Sequence, residues 1–320
     1  IYTTPQDTTM QVLNTTRPNV VVVILESFTA NMISSVGGEN GVSEQKEITP
    51  NLNKIANEGI VFTNAYSNGM RTDRGIVSIL TGFLAQPTLS IIKYPEKTRS
   101  LPSLAKSLHA VGYSTSMLYG GDVDFANMRS YFFGSMYSKI TCDKDFPINE
   151  RLSKWGVRDE NTFSYLYNDI IKANNLQKPY FKTFLTLSSH EPFDVSSHSF
   201  TDKYLNSASY TDSCIGSFVS KLQQTKAWNN LLIVFVADHG YPYPKDVKDY
   251  ERRKYHIPII MCGGAVKRHL VVDRLCNQTD IPTTILRQMH LPTKQFTYGK
   301  DLFNPYSPQF AFYVYTNGFC

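Results

Sequence analysis

Two strongly apolar segments, each followed at once by side chains that can bind a metal ion, constrain this chain more than any other feature. Residues 20–25 and Leu231–Ala237 are rich in β-branched residues, which is typical of central strands in a parallel sheet that is covered on both faces. The first segment is followed by Glu26 and the second by Asp238-His239. Because open α/β sheets bind ligands beyond the carboxyl ends of such strands, we expect these three side chains to meet. One Glu, one Asp and one His suit a divalent metal ion.

The remainder of the chain alternates between short apolar segments and helical patterns. Strands are predicted at residues 60–62, 113–119, 180–187 and 257–261, and helices at residues 49–56, 72–80, 103–109, 159–173, 206–222 and 280–289. This alternation predicts an α/β fold with a doubly wound, mostly parallel sheet, helices on both faces and a small β element appended near the C-terminus, over residues 298–320. We expect a single catalytic domain over residues 18–320. The Thr-rich residues 1–17 are interpreted as a linker from a removed N-terminal part, which could hold targeting or membrane segments.

Composition excludes several other classes of protein. Apolar residues make up 42% of the chain and charged residues 18%, which is typical of a globular protein and not of a disordered one. The net charge of +5 permits contact with anionic substrates or a membrane surface, but it is too small to indicate nucleic-acid binding. The five cysteines form no CxxC pair, so a zinc ribbon or a disulfide-dense scaffold is not expected; one disulfide or free buried thiols remain open.

A candidate nucleophile lies where residues 68–75 leave a flexible loop and enter a predicted helix. The hydroxyl of Thr72 is placed at the start of this helix, where backbone N–H groups and the helix dipole favour anions. In one interpretation Thr72 only caps the helix. In the other, its oxygen binds a divalent cation, is held as an alkoxide and acts as a nucleophile. Arg71 and Arg74 beside it could bind phosphate oxygens or be solvated.

Two histidines follow or precede predicted strands and are further candidates. His190 comes just after the strand predicted to end at residue 187, and His256 just before the one predicted to begin at residue 257. A single histidine is more often structural than functional. Two of them near the ends of strands, in a chain with a suspected metal site, favour a role in substrate binding or proton transfer.

Taken in order, several segments resemble the alkaline phosphatase/sulfatase superfamily, and more narrowly the extracytoplasmic catalytic domains of lipoteichoic acid synthases and related phosphoglycerol transferases. The matching segments are residues 18–27, 49–52, the loop around Thr72, residues 187–193, 237–240, 257–258 and 299–302. Each segment alone is weakly specific, whereas the ordered set is specific.

This resemblance implies a metal site and a covalent mechanism. Glu26, Thr72, Asp238 and His239 would bind one divalent metal, with Mn²⁺ favoured and Zn²⁺ or Mg²⁺ as alternatives. Thr72 would attack the phosphorus of a phospholipid headgroup and form a phosphothreonine intermediate. Diacylglycerol would leave, and the headgroup would pass to an acceptor. His190 matches a histidine that contacts substrate and could protonate the leaving oxygen or bind phosphate.

The same resemblance implies the surroundings in which the enzyme would work. Its donor would be a membrane phospholipid, its acceptor an envelope polymer or glycan, and no nucleic acid would be bound. We expect a monomeric catalytic domain outside the cytoplasm, either periplasmic or at the cell surface, which is anchored to the membrane through a part that this chain lacks.

The chain departs from the synthases at the headgroup pocket. The synthases carry a Trp-Asn-Arg segment that binds glycerol phosphate, and its counterpart here is Ala126-Asn127-Met128, with Arg129 one position later. We therefore expect Asn127 and Arg129, with Arg71, His190 and His256, to bind substrate in a different pocket.

Three alternatives to a phosphoglycerol transferase remain open. His256 resembles a residue of phosphoethanolamine transferases. A phosphodiesterase or sulfatase-type hydrolase of the same fold is the second alternative. However, Thr72 occupies the position of the Cys or Ser that true sulfatases mature to formylglycine, so sulfate-ester hydrolysis by that route is not expected. A non-catalytic binding domain ranks last, because all four candidate metal ligands are present.

Overall fold

The fold follows from β-branched segments that pair side by side and amphipathic helices that cover them. The computed structural model describes residue 4 and residues 6–151, 153–245 and 247–320. The strands are β1 Asn19–Leu25, β2 Val42–Ser43, β3 Lys46–Glu47, β4 Ile60–Phe62, β5 Ala65–Tyr66, β6 Ser114–Tyr119, β7 Lys139–Thr141, β8 Tyr180–Leu185, β9 Leu231–Ala237, β10 Ile259–Cys262, β11 Leu270–Val272, β12 Cys276–Asn277, β13 Val314–Tyr315 and β14 Gly318–Phe319. The α-helices are α1 Ser34–Gly37, α2 Pro50–Glu58, α3 Thr72–Thr81, α4 Pro95–Thr98, α5 Leu104–His109, α6 Met128–Gly134, α7 Asp159–Asn175, α8 Lys203–Gln223 and α9 Asp280–Gln288.

Eight of these strands form one central sheet, in the order β11-β4-β10-β9-β1-β8-β6-β7. Within it, β10 runs antiparallel to both of its neighbours, and the other pairs are parallel. The prediction of a mostly parallel α/β sheet is confirmed. The sequence did not reveal that β10 is antiparallel, because the apolar pattern of a short buried strand does not depend on the direction in which the strand runs.

Helices cover both faces of this sheet, as predicted. In one group α8 packs against α7 and α2, and in the other α3 packs against α9 and α5. All residues of β1 and β9 are buried, which is why their sequences are continuously apolar and do not alternate. The predicted β appendage is a small antiparallel hairpin of β13 and β14.

The pairing of β1 with β9 determines where the candidate site lies. These strands are adjacent and parallel, and their last residues, Leu25 and Ala237, are partners in the register. The residues that follow them therefore leave the sheet side by side. On the other side of β1, Ile24 pairs with Leu185, so the loop after β8 begins at the same edge.

The N-terminus of α2 is capped by another helix and not by the side chain of its own N-cap residue. Thr49 occupies the N-cap position of α2, but its hydroxyl donates to the carbonyl of Met32 at 2.7 Å instead of accepting from the helix. The first N–H groups of α2 are satisfied by Asp212 of α8, which accepts from the backbone N of Asn51 at 3.0 Å and of Leu52 at 2.7 Å. A tertiary contact thus replaces the local cap.

The described part of the N-terminal segment lies against the domain. The backbone N of Val12 donates to Gln288 Oε1 at 2.8 Å, and Leu13 forms a bridge with Val266. That residues 1–17 serve as a linker stays a prediction. All five cysteines are free, so none of them forms a disulfide. Among the described residues, none of the helices has the length and apolar character needed to cross a bilayer.

Candidate metal centre and nucleophile

Glu26, Asp238 and His239 meet at the carboxyl edge of the sheet, just beyond β1 and β9. One potential ligand atom from each of them lies within 4.8 Å of the others. The Nε2 atom of His239 is 3.7 Å from Glu26 Oε1 and 3.6 Å from Asp238 Oδ2. The two carboxyl groups are almost completely buried. A carboxylate pair with an imidazole, held this closely away from water, is a donor set suited to a divalent cation.

One carboxylate oxygen in this cluster is buried without a hydrogen-bond partner. Asp238 Oδ1 accepts from the backbone N of Ser27 at 2.8 Å and of His239 at 2.7 Å. Asp238 Oδ2 accepts no hydrogen bond from any of the described residues. An orphaned acceptor is costly inside a protein, and a bound cation would satisfy it. The donor set therefore fits a metal ion at this position.

The ring of His239 is oriented for ligation through Nε2. Its Nδ1 lies 2.9 Å from the carbonyl oxygen of Gly240. Because a carbonyl only accepts, Nδ1 carries the proton, and Nε2 of the neutral ring presents a lone pair toward the carboxylates. This is the tautomer that ligation of a metal ion through Nε2 requires.

The electrostatics of the cluster also favour a cation. Burial and the neighbouring Glu26 carboxylate raise the pKa of Asp238 to about 7. Burial lowers the pKa of His239, but the Asp238 and Glu26 carboxylates outweigh it and raise that pKa above its usual value. Without a cation the protein thus retains protons among these groups, and a divalent ion would replace them.

Thr72 is the first residue of α3, which points its N-terminus at this cluster. Its hydroxyl donates to Glu26 Oε2 at 3.1 Å, while Glu26 Oε1 accepts from the hydroxyl of Ser27 at 2.7 Å. Arg71, not Thr72, occupies the N-cap position, so the interpretation of Thr72 as a simple cap is wrong. The Thr72 oxygen instead faces the candidate metal ligands at the positive end of a helix dipole.

The two arginines beside Thr72 have different surroundings. Arg71 is exposed to solvent. Arg74 is half-buried, and its Nη2 donates to the carbonyl of Pro87 at 3.0 Å. Arg71 is therefore accessible to a phosphate, whereas Arg74 holds a neighbouring loop.

His190 lies on the loop that follows β8, at the same edge of the sheet. The loop is fixed to Glu26, since Glu26 N donates to Thr186 Oγ1 at 2.9 Å and Ser189 Oγ donates to the Glu26 carbonyl at 2.6 Å. His190 Nδ1 is 2.8 Å from the carbonyl oxygen of Glu191, so Nδ1 is again the protonated nitrogen. The predicted contact of His190 with substrate stays a prediction.

Trp155 contacts the His190 ring. The ring centroids are 5.0 Å apart at an interplanar angle of 62°, and the indole N–H donates to the same Glu191 carbonyl. Trp155 remains 45% exposed, so it stands at the edge of the site. No local pattern in the sequence indicated this residue, because the contact joins two segments that are distant along the chain.

The candidate headgroup residues lie on and before α6. Arg129 forms two hydrogen bonds with Asp124, with Nε at 2.6 Å from Oδ1 and Nη2 at 3.2 Å from Oδ2. Asn127 is exposed and donates from Nδ2 to the carbonyl of Lys93 at 3.2 Å. Both side chains thus have partners within the protein, and their predicted roles in substrate binding stay predictions.

His256 precedes β10 and is held between backbone and aromatic groups. Its Nε2 is 2.7 Å from the Thr63 carbonyl oxygen, and its ring stacks on Tyr66 at 5.4 Å between centroids. Burial lowers the pKa of His256, so the ring is neutral at pH 7. Its contacts are structural, and a contact with substrate stays a prediction.

Two positioning residues escaped the sequence interpretation. Ser27 has a φ of +55°, which non-glycine residues rarely adopt, and it contacts both Glu26 and Asp238. Gln278 Nε2 donates to the carbonyls of Ala237 and Asp238, each at 2.7 Å. The position of Ser27 next to Glu26 was a usable signal, whereas Gln278 carried none.

Comparison with known proteins agrees with this architecture. The model of the sulfatase family matches residues 18–291. Lipoteichoic acid synthase 2 of Bacillus subtilis is 25% identical over 317 residues, which cover 89% of this chain and 47% of that protein. The chain therefore spans about half the length of this curated relative.

Two solved structures show the same fold. A protein of the alkaline phosphatase superfamily from Vibrio parahaemolyticus superposes with a TM-score of 0.86 at 26% identity, covering 97% of this chain and 76% of that one. A lipoteichoic acid synthase from Listeria monocytogenes gives a TM-score of 0.81 at 20% identity, covering 91% and 76%. The predicted resemblance to this superfamily is confirmed.

Proposed function

This chain belongs to the sulfatase family, and on that premise we propose that it is a metal-dependent transferase that moves a phospholipid headgroup to an acceptor through Thr72. The observation that supports the proposal most directly is the 3.1 Å hydrogen bond from Thr72 to Glu26, within the cluster that includes Asp238 and His239. A hydroxyl so placed can lose its proton and become a nucleophile.

Glu26, Asp238, His239 and the Thr72 oxygen would hold one divalent ion, and Mn²⁺ is the ion we favour. Bound there, the ion would stabilise the Thr72 alkoxide and withdraw charge from the phosphoryl oxygens. Zn²⁺ and Mg²⁺ are alternatives because carboxylate, imidazole and alkoxide ligands do not select sharply among these ions.

The reaction consists of two displacements at phosphorus. In the first, the Thr72 oxygen forms a bond to phosphorus and the bond from phosphorus to the diacylglycerol oxygen breaks. For this step Thr72 enters deprotonated, its proton having been lost to solvent, and His190 enters with a second proton on Nε2, which it gives to the leaving diacylglycerol oxygen while its Nδ1–H stays on the Glu191 carbonyl. In the second, an acceptor hydroxyl attacks phosphorus, its proton passes to His190, and the Thr72 oxygen leaves.

The headgroup that we favour is phosphoglycerol, since the relatives include a lipoteichoic acid synthase. The acceptor would then be an envelope polymer or glycan, and the domain would act outside the cytoplasm. Arg71 is the exposed cation nearest in sequence to Thr72 and is the residue we assign to the phosphoryl oxygens. Phosphoethanolamine transfer is the alternative, and water as the acceptor would make the enzyme a hydrolase.

Mass spectrometry of the intact protein tests the proposal. The chain would be incubated with Mn²⁺ and phosphatidylglycerol, or with phosphatidylethanolamine, without an acceptor and then quenched in acid. We expect the mass of one headgroup to be added, to be located at Thr72 and to be absent from Thr72→Ala. Which lipid gives the adduct decides the headgroup. Turnover of either lipid by Thr72→Ala at the wild-type rate would disprove the mechanism.

A further inference from the structure

Exposed apolar side chains are grouped on the short helices beside α3. Phe125 is 72% exposed, Phe133 54% and Leu89 53%. Single apolar side chains at a surface are common, but a group on adjoining elements indicates a binding surface. We name it the Phe125 surface and define it by six exposed residues: Leu89, Lys93, Tyr94, Lys97, Phe125 and Phe133.

One hydrogen bond joins the two halves of this surface. Asn127, at the end of the short 3-10 helix Phe125–Asn127, donates from Nδ2 to the carbonyl of Lys93 at 3.2 Å. The helical segments around Lys93 and Phe125 pack against each other accordingly. Tyr94 and Phe125 are therefore neighbours at the surface although they are distant in sequence.

Phe133 lies on α6, the helix that follows Phe125 along the chain. Arg129 Nε is 2.6 Å from Oδ1 of Asp124, the residue before Phe125. Phe133 lies one helical turn after Arg129, and residues four apart lie on the same face of a helix. Helix α6 also packs against α4, which lies between Tyr94 and Arg99, so Phe133 and the Tyr94–Lys97 segment are on adjoining elements.

The Phe125 surface is connected to the start of the helix that carries the proposed nucleophile. Arg74 lies two residues after Thr72, and its guanidinium donates to the carbonyls of Pro87 at 3.0 Å and Leu89 at 3.4 Å. The Leu89 end of the Phe125 surface is thereby fixed beside the N-terminus of α3, next to the proposed site of phosphoryl transfer.

The charges on the surface are mainly positive. Residues 89–99 carry three cations and one acid, and all four side chains are exposed: Lys93, Lys97, Arg99 and Glu96. Lys97 Nζ lies 4.8 Å from the centroid of the Tyr94 ring. The nearby Asp124 is neutralised by Arg129 and by Lys144 at 3.2 Å, which leaves Asp122 as an exposed acid of that loop.

We propose that the Phe125 surface rests on the surface of an anionic bilayer and thereby presents the Thr72 site to lipid headgroups. Aromatic and aliphatic side chains interleaved with lysines are the composition that binds at the boundary of headgroups and acyl chains. The lysines add attraction to anionic lipids. This inference rests on the proposed function, because a lipid donor has to reach Thr72 from a membrane.

Vesicle sedimentation tests the docking step separately from catalysis. The purified chain would be mixed, in EDTA, with vesicles of phosphatidylcholine alone or of phosphatidylcholine with phosphatidylserine. We expect partition onto the anionic vesicles that Phe125→Ser/Phe133→Ser weakens about tenfold or more, because two apolar anchors are lost. Lys93→Glu/Lys97→Glu should weaken it to a similar extent and remove its dependence on salt.

Leu176→Ser is the matched control. Leu176 is 63% exposed and lies between Lys172 and Lys178, so it resembles the Phe125 surface in composition. It follows the C-terminal end of α7, just before the start of β8. Leu176 therefore lies at the edge of the sheet opposite to the Thr72 site. Its substitution should leave partition unchanged, and thermal melting checks that each variant is folded.

If wild type does not sediment with anionic vesicles, or if the double Ser variant binds them as wild type does, the proposal is wrong. The proposal would also be overturned if wild type does not bind vesicles but forms a dimer that the double Ser variant abolishes. That result would assign the Phe125 surface to contact with a second copy of the chain.

A soluble substrate distinguishes failure of docking from failure of the proposed reaction. On a short-chain phospholipid below its micellar concentration, Phe125→Ser/Phe133→Ser should keep the wild-type rate, while its rate on vesicles falls. No adduct at Thr72 with either substrate would contradict the proposed function, yet sedimentation would still decide the docking proposal.

Discussion

Gly75 lies so close to Asp238 that a β-carbon at position 75 would come within 2.0 Å of the Asp238 carbonyl oxygen. A side chain cannot occupy this space, so glycine lets the first turn of α3 approach the end of β9. The distance between the Thr72 hydroxyl and the candidate metal ligands depends on this contact.

We therefore expect Gly75→Ala to move α3 away from Asp238. Metal affinity and turnover should each fall by about tenfold or more, since both depend on the placement of Thr72 to within about an ångström. Calorimetric titration with Mn²⁺ and a turnover assay measure the two effects. Gly134→Ala is the control, because a β-carbon in that helix would meet mainly the flexible Arg99 side chain. Equal metal affinity in Gly75→Ala and wild type would contradict the prediction.

Metal affinity should fall with decreasing pH. Burial and Glu26 raise the pKa of Asp238 in the metal-free protein to about 7, and the pKa of His239 is also raised. Below neutral pH the metal has to displace protons from these groups, so its apparent affinity should rise with pH and level off above about 7. Titration of Mn²⁺ between about pH 6 and about pH 8, about one unit either side of that pKa, in buffers of different ionisation enthalpy would detect the released protons. Affinity that is constant over this range would show that the cluster is not the binding site.

Trp155 should hold His190 in the tautomer with its proton on Nδ1. Both rings donate to the Glu191 carbonyl, and the indole contacts the imidazole edge. Trp155→Phe removes the indole N–H that holds the Glu191 carbonyl in place beside His190 Nδ1, so we expect a mixture of His190 tautomers, a kcat lowered by about tenfold and a KM little changed. Nitrogen chemical shifts of His190 measure the tautomer directly.

The chain supplies its own control for this experiment. Trp228, the other tryptophan, lies near the start of β9, at the opposite edge of the sheet, and Trp228→Phe should leave the His190 shifts unchanged. In a His190→Gln background, Trp155→Phe should have no further effect on kcat. A neutral His190 ring in wild type that carries its proton on Nε2 and not on Nδ1 would be the contrary result.

Asp212 should make the fold less stable as the pH rises from about 4 to about 6. Burial raises its pKa to about 6 although it accepts hydrogen bonds from the first turn of α2. In this window the native state holds a proton that the unfolded state has lost, so the free energy of unfolding decreases with pH, by up to about 3 kcal/mol in total. Urea unfolding across this range measures the effect.

Asp212→Asn isolates this contribution, because an amide does not titrate. The variant loses one acceptor and should be less stable at pH 4, but its free energy of unfolding should change less steeply with pH than that of wild type. Parallel pH profiles of the two proteins would show that Asp212 has the same pKa in the folded and unfolded states.

The fold was largely predictable because its signals are local. Continuous β-branched runs indicated β1 and β9, and the structure confirms the mostly parallel sheet with helices on both faces. The short strands β7 and β11 were not predicted, because three residues at a sheet edge have no distinctive pattern. The structure also brings Glu26, Asp238, His239 and Thr72 together as expected, while their roles in binding a metal and in catalysis stay predictions.

The sequence by itself determined which residue types follow each buried strand. A strand that is buried on both faces has a continuous apolar sequence, so the first polar residue after it marks where the strand ends. Only the tertiary structure decided what those residues contact. The approach of Gly75 to Asp238, the cap that Asp212 gives to α2 and the contact of Trp155 with His190 each join segments that are far apart along the chain. Such contacts depend on how helices and loops pack across the sheet, and packing is a property of the whole fold that no local pattern encodes.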